Sequence, residues 1–317
     1  MESTASFRVT GRQPQLWDPV TGQRRPLLDY EQRGHTLIPM RLEPRQSFFV
    51  VFPKAKEGRQ PAKRRPNFPE AQRVAEIEGP WQVAFDPRWG GPEQVEFSVL
   101  EDWSKRAEPG IRYYSGTATY RKTFDLPSSF IPLSSSVYLD LGKVRNLARV
   151  RLNGKDLGIV WCAPWRVDAG NALKPKDNRL EIEVVNTWVN RIIGDQQEPP
   201  DTEMVKVNKE KGGYQAGVEG MALKDLPDWL LSGKPRPSRR YTFINWQFYP
   251  KDAPLPESGL IGPVRITAQR RRRVPGRTGL RQAKGNAGNL DLGSCAHVTD
   301  ADLFYARNFT RGSRLRK

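Results

Sequence analysis

The chain has 317 residues, of which 37% are hydrophobic and 27% charged, and it carries a formal net charge of +17. That length can bury a sizeable core, so a peptide or an unstructured tail is excluded as the whole description. No apolar run approaches the about 20 residues of a membrane span, and the opening MESTASFRVTGRQ has no apolar signal core, so no membrane partner is expected.

The positive charge is unevenly placed. Residues 270–317 hold twelve Lys and Arg against three acids, which is +9 of the total. Blocks such as Arg270 to Arg273 read as solvated chain. The basic runs at 54–65 and 270–273 also lack the aromatic residues that stack on bases, which weighs against a nucleic-acid partner. The two cysteines, Cys162 and Cys295, give neither a disulfide framework nor a metal cluster.

In chain order, SFRVT alternates, DPVTG is a turn, and TLIPMRLEP followed by SFFVVF predicts two strands in a hairpin turning at Glu43 to Gln46. These short strands are too few to close a core, so residues 1–52 are expected to be the remnant of an upstream β domain. Residues 53–76, opening PKAKEGRQPAKRRPNFPE, read as a basic Pro-rich linker. From Ile77 the pattern is all-β. WQVAFD, TATYRKTF, VYLDLG, ARVRLNGKDLGIVW, RLEIEVVN, YTFINWQFY and GPVRIT are short strands with turn residues between them.

In RLEIEVV, Leu180, Ile182 and Val184 share one face and Glu181 and Glu183 the other, as a half-buried antiparallel strand requires. The pair Asn153-Gly154 tolerates the positive φ angles of a tight hairpin. A single short helix is predicted at LPDWLLSG, with Pro227 early and Gly233 at its end. The fold class is therefore an antiparallel jelly-roll β-sandwich over 77–267. Residues 268–317, without alternation, are expected to be a disordered basic tail.

Two histidines, His35 and His297, lie in segments that share no fold, so neither a Ser/His/Asp triad nor a histidine metal site is expected. No glycine loop has the strand and helix context that cradles phosphate. Asp86, Asp102, Asp140, Asp168, Asp195 and Glu219 could each contribute to a glycosidase pair, but no spacing selects two of them. In sandwich loops such carboxylates read as turn acceptors or structural calcium ligands, so no catalytic residue and no cofactor beyond such a calcium is assigned.

The nine tryptophans carry more. Sugars offer apolar C–H faces to aromatic rings and hydroxyl rims to Asp, Asn and Arg, and WCAPWRVD and NTWVNRIIGD combine these side chains. Loops at one end of a sandwich carry binding while strands carry packing. The candidate ligand residues are Tyr113, Tyr114, Trp161, Trp165, Arg166, Asp168, Trp188, Asn190 and Arg191. They would form a shallow cleft for carbohydrate if their loops converge. The competing reading is that they clamp the sandwich to a neighbouring domain.

GPWQVAFDPRWGGPEQVEF, DWSKRAEPGIRYYSGTATYRKTFDLP, YLDLGKVRNLARVRLNGKDLGIVWCAPWRVD, NTWVNRIIGD and RYTFINWQFYPKDAPLPESGLIGPVRI together resemble the C-terminal part of the α-L-rhamnosidase-type glycoside hydrolases of family 106. The likeness covers about residues 6–267. It implies a galactose-binding-like jelly roll in which Ala118, Tyr120 and Phe124 alternate, Tyr120 and Phe124 being core. It also implies that the acidic catalytic residues sit in an upstream barrel, which this chain does not contain, and that full-length relatives are exported. The expected function is an accessory, non-catalytic carbohydrate-associated module, with the missing catalytic domain as its partner. A free-standing lectin-like module is the alternative.

Overall fold

The computed structural model describes residues 1–44, 46–54, 64–127, 136–207, 220–269 and 303–305. The chain divides into two compact units, residues 1–72 with 269–317, and residues 73–268.

The first unit contains β1 (Glu2–Phe7), β2 (Gln15–Trp17), β3 (Arg24–Pro26), β4 (Glu31–Gln32), β5 (Thr36–Arg41) and β6 (Phe49–Val51). β5 lies between β1 and β4, whereas β6 pairs with β2, which in turn pairs with β3. The two runs expected to form a hairpin thus enter different sheets. β1 takes all six residues of β5 as its partners, and the apolar faces of both sheets meet in one core of Leu16, Leu27, Ile38, Met40, Phe48, Val50 and Phe52. Residues 1–52 therefore help close a small core of their own, contrary to the expectation from strand number.

The linker expectation needs a second correction. Residues 55–63 lie outside the described residues, but Asn67 is buried and its side chain accepts from the N–H groups of Leu28 (2.8 Å) and Asp29 (3.0 Å). Phe68 packs on the same core. A buried amide satisfied on both sides fixes this stretch. Of the tail, Leu303–Tyr305 pairs antiparallel with β6. The expected disorder otherwise falls on residues 270–302 and 306–317, outside the described set.

The second unit is the sandwich. Its strands are β7 (Gln72–Glu76), β8 (Trp81–Ala84), β9 (Val95–Phe97), β10 (Thr117–Phe124), β11 (Ser136–Asp140), β12 (Val144–Arg145), β13 (Leu147–Leu152), β14 (Lys155–Val160), β15 (Arg166–Asp168), β16 (Asn178–Val185), β17 (Met204–Val207), β18 (Gly220–Leu223), β19 (Gly259–Leu260) and β20 (Arg265–Gln269). One six-stranded sheet has the order β14-β13-β16-β10-β8-β9 and one four-stranded sheet the order β15-β11-β20-β7. All pairings in the larger sheet are antiparallel. β7 gives the sandwich an earlier start than residue 77.

Alternation decides which side chains meet between the sheets. Val83, Ala118, Tyr120, Val150, Leu152, Leu180, Ile182 and Val184 from the larger sheet are buried against Val137, Leu139, Val167 and Ile266 from the smaller. Asn153 and Gly154 form the two-residue turn between β13 and β14 with φ of 54° and 81°. Asn153 also donates its Nδ2–H to the Ala172 carbonyl (2.7 Å) and the Asn178 Oδ1 (3.0 Å).

The opposite face of the larger sheet is polar. A single register row, Glu96, Gln82, Arg121, Glu181, Arg151 and Asp156, crosses all six strands. Within it Gln82 donates to Glu96 (2.9 Å), and Arg121 and Arg151 each pair with Glu181 at 3.0 Å.

Among the described residues three α-helices punctuate the unit: α1 (Pro109–Arg112), α2 (Val189–Asp195) and α3 (Asp228–Leu231). Only α3 was predicted. The expected strand at YTFINWQFY is not formed: residues 241–249 run without a ladder apart from one bridge between Ala222 and Trp246. Tyr241, Phe243 and Phe248 there are exposed.

Candidate functional site

The loops at one end of the sandwich bring rings and guanidinium groups together. Asp86 caps a 3-10 turn, Pro87–Trp89, by accepting from the Arg88 N–H (2.9 Å). Its carboxyl is held below the usual range by hydrogen bonds from the Arg88 side chain, with which it pairs at 2.7 Å. The turn presents Trp89, and Trp188, at the start of α2, stacks edge-on against it with centroids 5.1 Å apart. Trp188 remains 48% exposed. Next to Trp89, Gly90 adopts φ 80°, and a Cβ there would lie 2.6 Å from the Tyr241 hydroxyl, so Tyr241 rests directly on this backbone.

Tyr241 in turn carries the Arg191 guanidinium 4.7 Å above its ring. On the far side, Gly194 packs against Tyr113, where a side chain would meet the Tyr113 Cβ at 2.5 Å. Arg112 covers the Tyr113 ring at 5.7 Å. Tyr113, Gly194, Arg191, Tyr241, Gly90, Trp89 and Trp188 thus form one chain of contacts, with the rings of Trp188 and Tyr241 exposed and Arg191 buried against Tyr241. Such a surface suits the C–H faces and hydroxyl rims of a sugar.

Several expected ligand residues turn out to be internal. Tyr114 is fully buried: its hydroxyl donates to the Thr117 carbonyl (2.9 Å) and accepts from the Asp86 N–H (3.1 Å). Its ring stacks edge-on with Phe85 at 4.9 Å. Burial pushes its phenol up from the ordinary value. Asn190 is also buried, donating to the Pro256 carbonyl and the Ser258 hydroxyl, each at 3.0 Å. Arg191, 6% exposed, keeps its Nε 3.2 Å from Asp195 Oδ1, and its backbone N–H donates to the Ser115 hydroxyl (3.0 Å).

Asp195, 2% exposed, accepts at Oδ2 from the N–H groups of Tyr241 (3.0 Å) and Thr242 (2.6 Å) and from the Thr242 hydroxyl (2.7 Å). The α2 carboxylate therefore ties the 241–242 segment to the sandwich. The ion pair is close but poorly aligned, since Arg191 Nε and Asp195 Oδ1 make no hydrogen bond.

The other candidates form a separate group along the segment joining β14 to β15. Trp161 is 59% exposed. Trp165 packs on the sandwich core, and Arg166 lies 4.9 Å above the Tyr138 ring. Asp168 accepts from the Gly170 N–H (3.0 Å), the turn role expected of a loop carboxylate. The register carries the two groups to the same end of the larger sheet's strands, because Val160 pairs with Ala148 and Leu147 with Val185. Their contacts are nonetheless distinct.

Trp89 and Tyr241 were absent from the candidates. DPRWGG did hold the signal for Trp89: an Asp cap, a proline and two glycines that set one large ring in a tight turn. Tyr241 had no local signal, because the groups that place it, the Asp195 carboxylate, Arg191 and Gly90, all lie far away in the chain.

A third carboxylate, Asp201, has a buried side chain whose Oδ2 accepts from Arg236 Nε and, at 2.6 Å, from the Ser238 hydroxyl. Burial pushes its carboxyl up, but the bonds from Arg236 and Ser238 outweigh this and leave it lowered. A lowered folded-state value means that the contribution to stability is complete above the unfolded value near 3.9 and fades as pH falls through the folded one. Thermal melts of the protein and of Asp201→Asn should therefore differ most at pH 7, and the gap should shrink below about pH 4. A gap independent of pH would show that the carboxylate charge contributes nothing. Among the described residues no group of three His, Cys, Asp or Glu side chains could hold a metal ion, and no helix is long and apolar enough to cross a membrane.

Residues 103–220 match the family described as glycosyl hydrolase 2 galactose-binding domain-like. The structure is similar to that of a rhamnosidase from a Novosphingobium strain, with a TM-score of 0.63 and 37% identity over 84% of this chain and 21% of that one. In sequence, 190 residues are 40% identical to a Formosa agariphila protein named "Putative beta-glucuronidase", covering 60% of this chain and 15% of that protein. The chain thus spans about a fifth or less of the length of either relative. The sandwich is a galactose-binding-like domain of the kind found in glycoside hydrolases.

Proposed function

We propose that this chain is an accessory, non-catalytic module of a rhamnosidase-type glycoside hydrolase of family 106, and that its loop cluster contacts carbohydrate. The observation that carries the reading is the 37% identity maintained across 84% of the chain with a TM-score of 0.63 to a rhamnosidase. The disposition of the carboxylates supports the non-catalytic part. Asp86, Asp195 and Asp201 each face an arginine, and a general acid needs a carboxyl raised by its surroundings, whereas Asp86 and Asp201 are lowered. The catalytic domain would then be supplied by a further part of the enzyme. The side chains of Leu226, Leu230, Leu231, Phe243 and Phe248 are exposed and would be the apolar groups offered to it. In the same reading residues 1–52, with a small core of their own, belong to the end of an upstream β domain.

Purified chain incubated with aryl and oligomeric rhamnosides should release no rhamnose; clear hydrolysis would overturn the non-catalytic assignment. Calorimetry with rhamnose-containing pectic oligosaccharides should show heat that Trp188→Ala reduces about tenfold or more in affinity without lowering the melting temperature. This is the ~1–3 kcal/mol scale of a ring stacked on a ligand. No heat with the unaltered chain would leave it as a structural brace, without sugar contact.

A further inference from the structure

The outer face of the six-stranded sheet carries an open groove of about 410 Å3, bordered by Gln82, Arg121, Thr123, Arg151, Arg179 and Glu181. It runs from β8 across β10 and β16 to β13. Those four strands lie three strand spacings apart, about 14 Å in all, which is wider than one sugar ring needs.

Its charge is unbalanced. Three guanidinium groups share one carboxylate, and that carboxylate is fully engaged: Glu181 Oε2 takes Arg121 Nε and Oε1 takes Arg151, each at 3.0 Å. Arg151 also reaches Glu183 at 2.8 Å. Arg179 has no ion-pair partner among the described residues, although its backbone is pinned by the Asn153 side chain at 2.9 Å. The strand register sets Arg179 opposite Thr123 and one pleat repeat from Arg121, so both guanidinium groups stand on the same face. Arg179 and the outer edge of Arg121 are thus poised for a further anion, with the Thr123 hydroxyl beside them for neutral polar groups.

We propose that this groove binds an acidic oligosaccharide, one whose sugar carboxylates pair with Arg179 and Arg121. Planar guanidinium groups receive carboxylates through two parallel hydrogen bonds, which a point charge cannot match. The groove has no aromatic lining for base stacking, so a single-stranded nucleic acid is the poorer fit. The site lies on the sheet face, away from the Trp89–Trp188 cluster, and does not depend on that cluster binding sugar.

The test is a calorimetric titration of the full chain with a uronic acid trimer, its methyl-esterified form and inorganic phosphate, at low and at physiological salt. The trimer should bind. The ester and phosphate should bind at least tenfold more weakly, and salt should weaken the trimer. Arg179→Ala should weaken it about tenfold and Arg179→Glu abolish it, with melting temperatures unchanged, whereas Trp188→Ala should leave it intact. Equal binding of the ester, equal binding of phosphate, or full affinity in Arg179→Glu would each overturn the proposal. Loss of trimer binding in Trp188→Ala alone would assign the acidic sugar to the loop cluster instead, which also overturns it.

Discussion

Replacing Arg191 by alanine should lower the unfolding free energy by about 3–5 kcal/mol, the range found when one partner of a buried ion pair is removed. Arg191 and Asp195 are 6% and 2% exposed, so the carboxylate left behind would be a buried charge with only the dipoles of Tyr241 and Thr242 to stabilise it. The loss should spread. Arg191 covers the Tyr241 ring, and Asp195 holds the backbone at 241 and 242, so the exposed stretch from Tyr241 to Phe248 should become more open to protease. Arg191→Lys, which keeps the charge but not the planar fork, should fall between the two. Urea denaturation with limited proteolysis measures both effects. Unchanged stability together with lost sugar affinity would instead make Arg191 a ligand residue that the fold does not need.

Trp103→Ala is expected to cost about 3–5 kcal/mol, the usual loss for truncating a fully buried large aromatic. Trp103 is completely enclosed, with Phe85 at 5.2 Å and Tyr114 at 5.8 Å in edge-on contact, and its indole N–H donates to the Tyr120 hydroxyl at 2.6 Å. Tyr120→Phe should cost about 1–3 kcal/mol, because it leaves that N–H unpaired in the core. The same hydroxyl accepts from the Leu260 N–H at 3.3 Å, so it joins the 3-10 turn Trp103–Lys105, β10 and β19. The double variant should lose less than the sum of the single losses. Strict additivity in chemical denaturation would show that the bond between the rings contributes nothing.

How much of this was visible in the sequence depends on the range of the interactions involved. Alternation in Leu180, Ile182 and Val184 is a local consequence of strand geometry, and all three are buried as expected. The Asn153-Gly154 turn is equally local. Tyr114 and Arg191 failed for the opposite reason. A tyrosine two residues before a glycine and an arginine three residues after a tryptophan look like loop residues. Their burial is set by Phe85, Trp103 and Asp195, of which only Asp195 is near in sequence. α2 left no amphipathic signal, since five of its seven residues are buried and three of those, Asn190, Arg191 and Asp195, are polar. At seven residues and without an N-terminal side-chain cap, it is stabilised by what it packs on rather than by its own propensity. The strand expected at YTFINWQFY shows β-prone composition overridden by the absence of a pairing edge. There the chain is held by Asp195 and by one bridge to Ala222.

The polar row across the outer face of the six-stranded sheet has a consequence for how the strands find each other. A slip of one residue would expose Leu180, Ile182 and Val184, so hydrophobic alternation alone forbids it, but a slip of two restores the apolar face and passes that check. The charges read what the apolar pattern cannot. Moving β16 by two in one direction would bring Arg179 opposite Arg121 on one side and opposite Arg151 on the other, where like charges repel. Moving it the other way would set Arg149 against Val185 and Thr119 against the same residue. The guanidinium groups beside the groove thus add a check on assembly that the apolar pattern lacks: they reject the even-numbered slip that sets Arg179 between Arg121 and Arg151, whereas the opposite slip puts Glu183 in the place of Glu181 and is opposed only by the apolar Val185 it sets against Arg149.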